Sequence, residues 1–105
     1  MVLFVGPLYS GKKQAAADYA RQNGKRLEDL RVIEDVPSGV TDPAASAEEL
    51  SAYDIVLFTE VGSGLVPVDA EDRAARENAG RLSVLLAERA DEVYRVYCGI
   101  ARRLK

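Results

Sequence analysis

The sequence predicts an α/β domain of three layers, with helices flanking a mostly parallel sheet of about four strands. Three observations carry that prediction. Apolar runs at residues 2–5, 31–34, 54–58 and 92–98 alternate with segments of helical periodicity, and strands separated by helices need crossovers, which favour parallel pairing and right-handed connections. The first run leads directly into Gly6-Pro7-Leu8-Tyr9-Ser10-Gly11-Lys12-Lys13, a glycine- and lysine-bearing turn in the strand-to-helix position where phosphate groups bind. The 105 residues, 48% hydrophobic and 30% charged, are enough for one core, so residues 1–105 form a single domain.

Each element has its own signal. Val2 to Val5 is continuously apolar, as a strand covered on both faces must be. Gly11 to Gln22 is rich in good helix formers and sets Ala16, Tyr19 and Ala20 on one face; Asn23-Gly24 is its stop. Arg31 to Glu34 is a short strand, followed by an exposed connection containing Pro37, Gly39, Asp42 and Pro43. Ser46 and Glu49 have the spacing of a capping box, which starts the second helix at Ser46 and lets it run to about Tyr53.

Asp54 to Phe58 is the next buried strand and delivers Thr59-Glu60-Val61-Gly62-Ser63-Gly64 at its C-terminal end. Asp69 caps a long helix from about Ala70 to Arg89, in which Ala75, Ala79, Leu82 and Leu86 face inward while Asp72/Arg76 and Glu77/Arg81 pair outside. Gly80 within it permits close packing, and Arg73 and Arg76 lie on a solvated face. Glu92 to Cys98, β-branched and aromatic, is the last strand, and Gly99 to Lys105 follow it.

Composition excludes several functions. A net charge of −3 supplies no footprint for nucleic acid. The lone Cys98 allows no internal disulfide, reads as a small buried residue and suits a reduced compartment. With neither a leader-like segment nor an apolar run of membrane-spanning length, a cytoplasmic location and no membrane partner are expected.

The loop at Gly6 has the spacing of G-x-x-x-x-G-K-[ST] with lysine in the last position. In such loops backbone N–H groups surround phosphates, the lysine reaches the terminal phosphates and the final hydroxyl holds Mg²⁺. Gly6, Tyr9, Ser10, Gly11, Lys12 and Lys13 are therefore the expected nucleotide-binding residues, and the domain is expected to be P-loop NTPase-like (RecA-like). Lys13 cannot ligate a cation, Pro7 removes one N–H, and Tyr9 adds bulk. The competing reading is geometric: two glycines at a strand-to-helix turn shape the chain without any ligand. Ligands of doubly wound sheets bind beyond the carboxyl ends of the strands, where Gly6 to Lys13 and Thr59 to Gly64 would share a crevice. Glu60 is then the nearest carboxylate for Mg²⁺ or a proton, and Lys12 and Glu60 are the catalytic candidates.

The string Glu60-Val61-Gly62-Ser63-Gly64-Leu65-Val66-Pro67, with Ala79-Gly80-Arg81-Leu82 and Ala90-Asp91-Glu92-Val93-Tyr94, resembles the bifunctional adenosylcobinamide kinase/adenosylcobinamide-phosphate guanylyltransferase family of cobalamin biosynthesis. Val32-Ile33-Glu34-Asp35 looks like that family's Thr-Ile-Glu-Glu segment, and the phosphate loop like its Gly-Gly-x-x-Ser-Gly-Lys-Ser opening. Family members are longer, with the difference falling between Ile33-Glu34 and Asp54, so the chain resembles a shortened and divergent member with a reduced sheet. That stretch carries the family's Mg²⁺-associated aspartate, for which Asp35 or Asp54 would have to stand in.

The resemblance implies ATP or GTP with Mg²⁺ as cofactor, an alcohol phosphotransferase activity on adenosylcobinamide, a nucleotide and a corrinoid as partners, and a homo-oligomer. It also implies that arginines of the long helix, here Arg73 and Arg76, lie near the nucleotide or a subunit interface. The family's guanylyl transfer proceeds through a histidine; the chain has none, so that half of the chemistry is not expected. The alternative reading is a catalytically inactive descendant that serves as a binding or assembly protein.

Overall fold

A computed structural model describes residues 1–37, 39–60 and 70–105. Its elements are β1 (Val2–Gly6), α1 (Lys12–Gln22), a short 3-10 turn (Leu27–Asp29), β2 (Val32–Val36), α2 (Pro43–Leu50), β3 (Ile55–Thr59), α3 (Ala70–Arg89), β4 (Glu92–Tyr97) and β5 (Ile100–Arg103). They form a 5-stranded sheet in the order β2-β3-β1-β4-β5. The first four positions are parallel, with β1 in register from Val2↔Ile55 to Gly6↔Thr59 on one side and from Val2↔Glu92 on the other; β5 is antiparallel to β4.

Handedness explains the layers. The chain leaves β1 and passes β3 to reach β2, then reverses direction for β3 and β4, so right-handed crossovers put α1 on one face of the sheet and α2 and α3 on the other. The two cores have that composition. Val2, Phe4, Ile55, Leu57 and Val96 pack with Ala15 and Ala16 of α1, while Leu3, Val56, Phe58 and Val93 pack with Ala47 and Leu50 of α2 and with Ala79, Leu82 and Leu86 of α3. Odd and even residues of one strand enter different cores because side chains alternate across a sheet. Adjacent strands β3 and β1 thus send their following helices to opposite faces, and a crevice opens between their carboxyl ends.

Several expectations are corrected. α2 begins earlier than the capping-box spacing implies: Asp42 is its N-cap, accepting from Ala45 N at 3.2 Å, with Pro43 in the first turn. Pro43 is preorganised there, so Asp42-Pro43 outcompetes Ser46, and the helix ends at Leu50 rather than near Tyr53. The second strand runs from Val32 to Val36 rather than over Arg31 to Glu34. Ala75 is exposed, leaving Ala79, Leu82 and Leu86 as the inner line of α3. Gly80 serves no close packing, since a Cβ there would meet nothing within 4 Å. Glu77 and Arg81 do pair, at 2.8 Å. The cap assigned to Asp69 lies outside the described residues.

The chain end departs most. The last apolar run stops at Tyr97, and Cys98 (φ 52) and Gly99 (φ 75) make a two-residue turn into β5. Positive φ at both central residues is the twist that a right-handed hairpin requires. Cys98 is therefore exposed at the turn and not part of either core.

Among the described residues no helix is long and apolar enough to cross a membrane.

Candidate functional site

The segment between β1 and α1 folds back against the carboxyl end of the sheet. Gly11 occupies the N-cap position of α1 with φ 92, and no side chain caps the helix. The first intrahelical bond runs from Ala15 N to Gly11 O at 3.0 Å, so the amides of Lys12, Lys13 and Gln14 have no partner within the helix and point, with the helix dipole, at the crevice. Ser10 is the one buried polar side chain among the described residues. Its amide donates to Pro7 O at 3.2 Å, which removes it from the set of free loop donors that the sequence suggests.

Lys12 reaches back under the loop. Its Nζ donates to Pro7 O at 2.7 Å and to Gly6 O at 3.2 Å, with Ser10 Oγ at 3.5 Å. Partial burial lowers the pKa of this ammonium from its ordinary value, and the nearby Glu60 carboxylate works against that shift. The loop thus holds a cation at its centre. Lys13 behaves differently: its side chain is 70% exposed and pairs with Glu34 at 3.7 Å. Tyr9, at φ 60 and 94% exposed, turns its ring away from the loop interior, so its bulk does not fill it.

Two hollows flank this loop. On the α1 side, Tyr9, Ser10, Gly11, Lys12 and Lys13 line a space of about 300 Å³ with Glu34, Asp35 and Thr59. On the α3 side, Pro7, Glu60, Arg76, Ser83, Arg95 and Tyr97 line one of about 590 Å³. Glu60 sits at the divide: its N–H donates to Gly6 O at 2.9 Å, and its carboxylate meets Arg95 Nε at 3.4 Å on the α3 side.

Five of the six loop residues named from the sequence therefore line one hollow, with Gly6 behind them as a carbonyl partner of Lys12, whereas Glu60 belongs to the neighbouring hollow and is held by an arginine. Arg76 lines that same hollow rather than an open helix face; Arg73 is exposed. Val61 to Gly64 lie outside the described residues. Of the two aspartates considered as metal ligands, Asp54 is at the opposite end of the sheet, where its Oδ2 accepts from Arg31 N at 2.8 Å. Asp35, in the left-handed region at φ 58, lines the loop's hollow.

Thr59 lies beside the loop as the shared crevice requires, whereas sequence reasoning missed the places of Glu34 and Arg95 and the turn at Gly99. Gly99 N donates to Ser10 O at 2.8 Å. The signal for that turn was present, since a Gly after the apolar stretch ending in Tyr97-Cys98 is a two-residue hairpin pattern.

A Mg²⁺ site can be tested against the donors present. No group of three or more His, Cys, Asp or Glu side chains stands together among the described residues. Lys13 occupies the position of the ligating hydroxyl, and Glu60 is paired. The described side chains do not make a Mg²⁺ site; the loop's amides and Lys12 do suit phosphate oxygens.

A glycine-bounded loop between a central parallel strand and its helix, with a lysine beneath it at the point where the connections change face, makes this a small α/β protein consistent with a P-loop-like fold. The chain belongs to the cobinamide kinase / cobinamide phosphate guanyltransferase family, whose model matches residues 27–104. It is 38% identical over 61 residues to the bifunctional adenosylcobalamin biosynthesis protein CobU of Salmonella typhimurium (strain LT2), a match covering 58% of this chain and 34% of that protein. The matched part is thus about a third of the relative's length. The family model begins downstream of Gly6 to Lys13, so that match does not cover the loop.

Proposed function

We propose that the chain binds a nucleotide through Gly6, Tyr9, Ser10, Gly11, Lys12 and Lys13 and acts in cobalamin biosynthesis as a cobinamide kinase-like protein on a RecA-like core. The observation that carries this reading is Lys12: a partly buried ammonium whose Nζ bonds two loop carbonyls, 2.7 and 3.2 Å away, directly at the amino end of α1. A cation held by two carbonyls and a hydroxyl, all neutral, is poised to exchange them for phosphate oxygens, with which it gains full charge complementarity. ATP or GTP is the expected ligand and an alcohol, adenosylcobinamide, the expected acceptor.

In this scheme Lys12 and the first-turn amides of α1 hold the phosphates. Lys13 adds long-range positive charge from the rim. Glu60, released from Arg95, receives the proton of the attacking hydroxyl. Since the described side chains supply no Mg²⁺ ligand set, no step is assigned to the ion. Guanylyl transfer through a histidine has no residue to carry it in this sequence.

A second reading has its own observation: Lys13 replaces the hydroxyl and is already paired with Glu34, which suits a non-catalytic nucleotide-binding or assembly protein of the family. Self-association belongs to either reading, because β5 is an exposed edge strand carrying Ile100 at 71% exposure, and light scattering measures it. A cytoplasmic site of action goes with both.

Calorimetric titration with ATP and GTP, with and without Mg²⁺, tests the reading. Binding that falls at least tenfold in Lys12→Ala, about 1.4 kcal/mol, supports it; unchanged affinity in that variant sinks it. Lys13→Ser separates the two versions: a gain in Mg²⁺ dependence, with cobinamide phosphorylation already measurable in the unaltered protein, favours the kinase, whereas nucleotide binding without phosphorylation favours the assembly protein.

A further inference from the structure

We infer that the Cys98-Gly99 turn between β4 and β5 is a positioning element for the phosphate loop, setting the backbone that Lys12 and the α1 amides present to an anion. The inference rests on the phosphate-binding reading of that loop for its functional consequence, but not for its geometry.

Independent contacts join the C-terminal hairpin to both ends of the loop. At the start, a Cβ on Gly6 would stand 2.3 Å from Val96 O and 2.7 Å from Ser10 Oγ, so the end of β4 presses on the β1 backbone. At the end, a Cβ on Gly11 would stand 3.2 Å from Gly99 Cα, with Gly11 itself at φ 92. Between them Gly99 N donates to Ser10 O at 2.8 Å. The spacing glycines of the loop thus make room for the hairpin.

The same hairpin holds α1. Tyr19 of α1 donates through its hydroxyl to Glu92 Oε2 of β4, Tyr94 donates to Glu92 Oε1 at 2.9 Å, and Arg103 of β5 approaches Glu92 Oε1 at 3.4 Å. Helix and turn are therefore referenced to one frame. A displaced turn changes the loop's path relative to the helix amides without disturbing either core.

Gly99 offers a clean perturbation. It sits at φ 75 with nothing within 4 Å of an added Cβ, so a Cβ meets no obstacle and the backbone preference of the substituted residue is what is tested. Asn visits the left-handed region readily, whereas a β-branched residue there is an outlier. Gly99→Asn should keep the turn, and Gly99→Val should move it.

The experiment compares both variants with the unaltered protein after circular dichroism has shown all three to be folded. Affinities for ATP and for inorganic pyrophosphate are measured by calorimetry, and backbone amide shifts by NMR. The expected result is near-parent affinity in Gly99→Asn, about a tenfold loss in Gly99→Val, and amide shifts in Gly99→Val that extend through residues 6–12 and spare α2. Affinity and loop shifts in Gly99→Val equal to those of the parent overturn the inference, as does an equal loss of affinity in both variants. If no protein binds either ligand, the phosphate reading fails, and the amide shifts alone decide: movement across residues 6–12 in Gly99→Val upholds the positioning role, and its absence refutes it.

Discussion

Replacing Gly6 by alanine should destabilise the protein far more than a single methyl group normally does. Gly6 is buried at the end of β1, and the new Cβ would lie 2.3 Å from Val96 O, more than an ångström inside ordinary contact. The obstacle is backbone in the neighbouring strand, so no side-chain rotation relieves it. Overpacking of this kind costs about 1–3 kcal/mol. Moving the β1 end also strains the carbonyl of Gly6, which accepts from Glu60 N at 2.9 Å and from Lys12 Nζ at 3.2 Å, at roughly 0.5–1.5 kcal/mol per bond weakened. Against this, Gly→Ala lowers the entropy of the unfolded chain and returns about 0.4–1 kcal/mol.

The net expectation is a loss of about 2–4 kcal/mol, or roughly 10–25 °C in Tm for a domain of this size. Total stability of about 5–15 kcal/mol leaves the variant folded and measurable. Urea denaturation followed by circular dichroism gives the difference directly, with Gly80→Ala as the control: a Cβ there meets nothing within 4 Å, so the helix should gain about 0.5–1 kcal/mol. Opposite signs for the two glycines are required. A Gly6→Ala loss below about 0.5 kcal/mol would refute the tight approach of β4 to β1.

Two further outcomes follow from the same geometry. Asp42→Ala should cost about 1 kcal/mol while Ser46→Ala stays within about 0.5 kcal/mol, as read from denaturation midpoints; the reverse order would restore the capping-box start of α2. In an ultraviolet titration Tyr19, pushed up to about 12 chiefly by burial and then by its bond to Glu92, and Tyr94, raised for the same reasons, should titrate above the ordinary tyrosine range. Because Tyr19 has the higher pKa when folded, its contribution to stability is complete below about pH 10 and is lost as pH rises through about 12. Glu92, lowered mainly by the Tyr19 and Tyr94 hydroxyls, contributes above the ordinary carboxylate range and loses its contribution as pH falls through its depressed value. Titration of Tyr19 and Tyr94 within the ordinary tyrosine range would contradict this arrangement.

What the sequence made legible is what depends on local pattern. Continuous apolar runs located β1 and β3, because strands covered on both faces leave no polar positions, and β-branched and aromatic residues located β4; Asn23-Gly24 marked the end of α1, with Gly24 at φ 72. Features decided by competition or by distant contacts were not legible. Asp42-Pro43 and Ser46 are both valid helix starts, and only the fold selects the earlier one. β5 has the weak strand sequence Ile100-Ala101-Arg102-Arg103 and exists because the Cys98-Gly99 turn returns it to β4. In the site, the loop residues were readable from spacing, whereas Arg95 at Glu60 and Gly99 at Ser10 lie more than thirty residues away in the chain and join the loop only through sheet order.

The double constraint on the loop glycines changes which residues testify to function. In a phosphate loop, glycine is usually explained by close approach of the backbone to the ligand. Here the frame calls for Gly6 and Gly11 whether or not a phosphate is ever bound, since Val96 O occupies the space a Gly6 side chain would take, and Gly11 sits at φ 92 with Gly99 Cα 3.2 Å from where its Cβ would be. Glycine spacing alone would therefore survive the complete loss of nucleotide binding. Lys12 is different, because packing does not call for a charged group there: burial disfavours its ammonium, and its partners are carbonyls that water satisfies equally well. A residue retained against a desolvation cost is better evidence for a ligand than one retained for room, which is why the Lys12→Ala titration bears on function and the glycine substitutions bear on the frame that holds it.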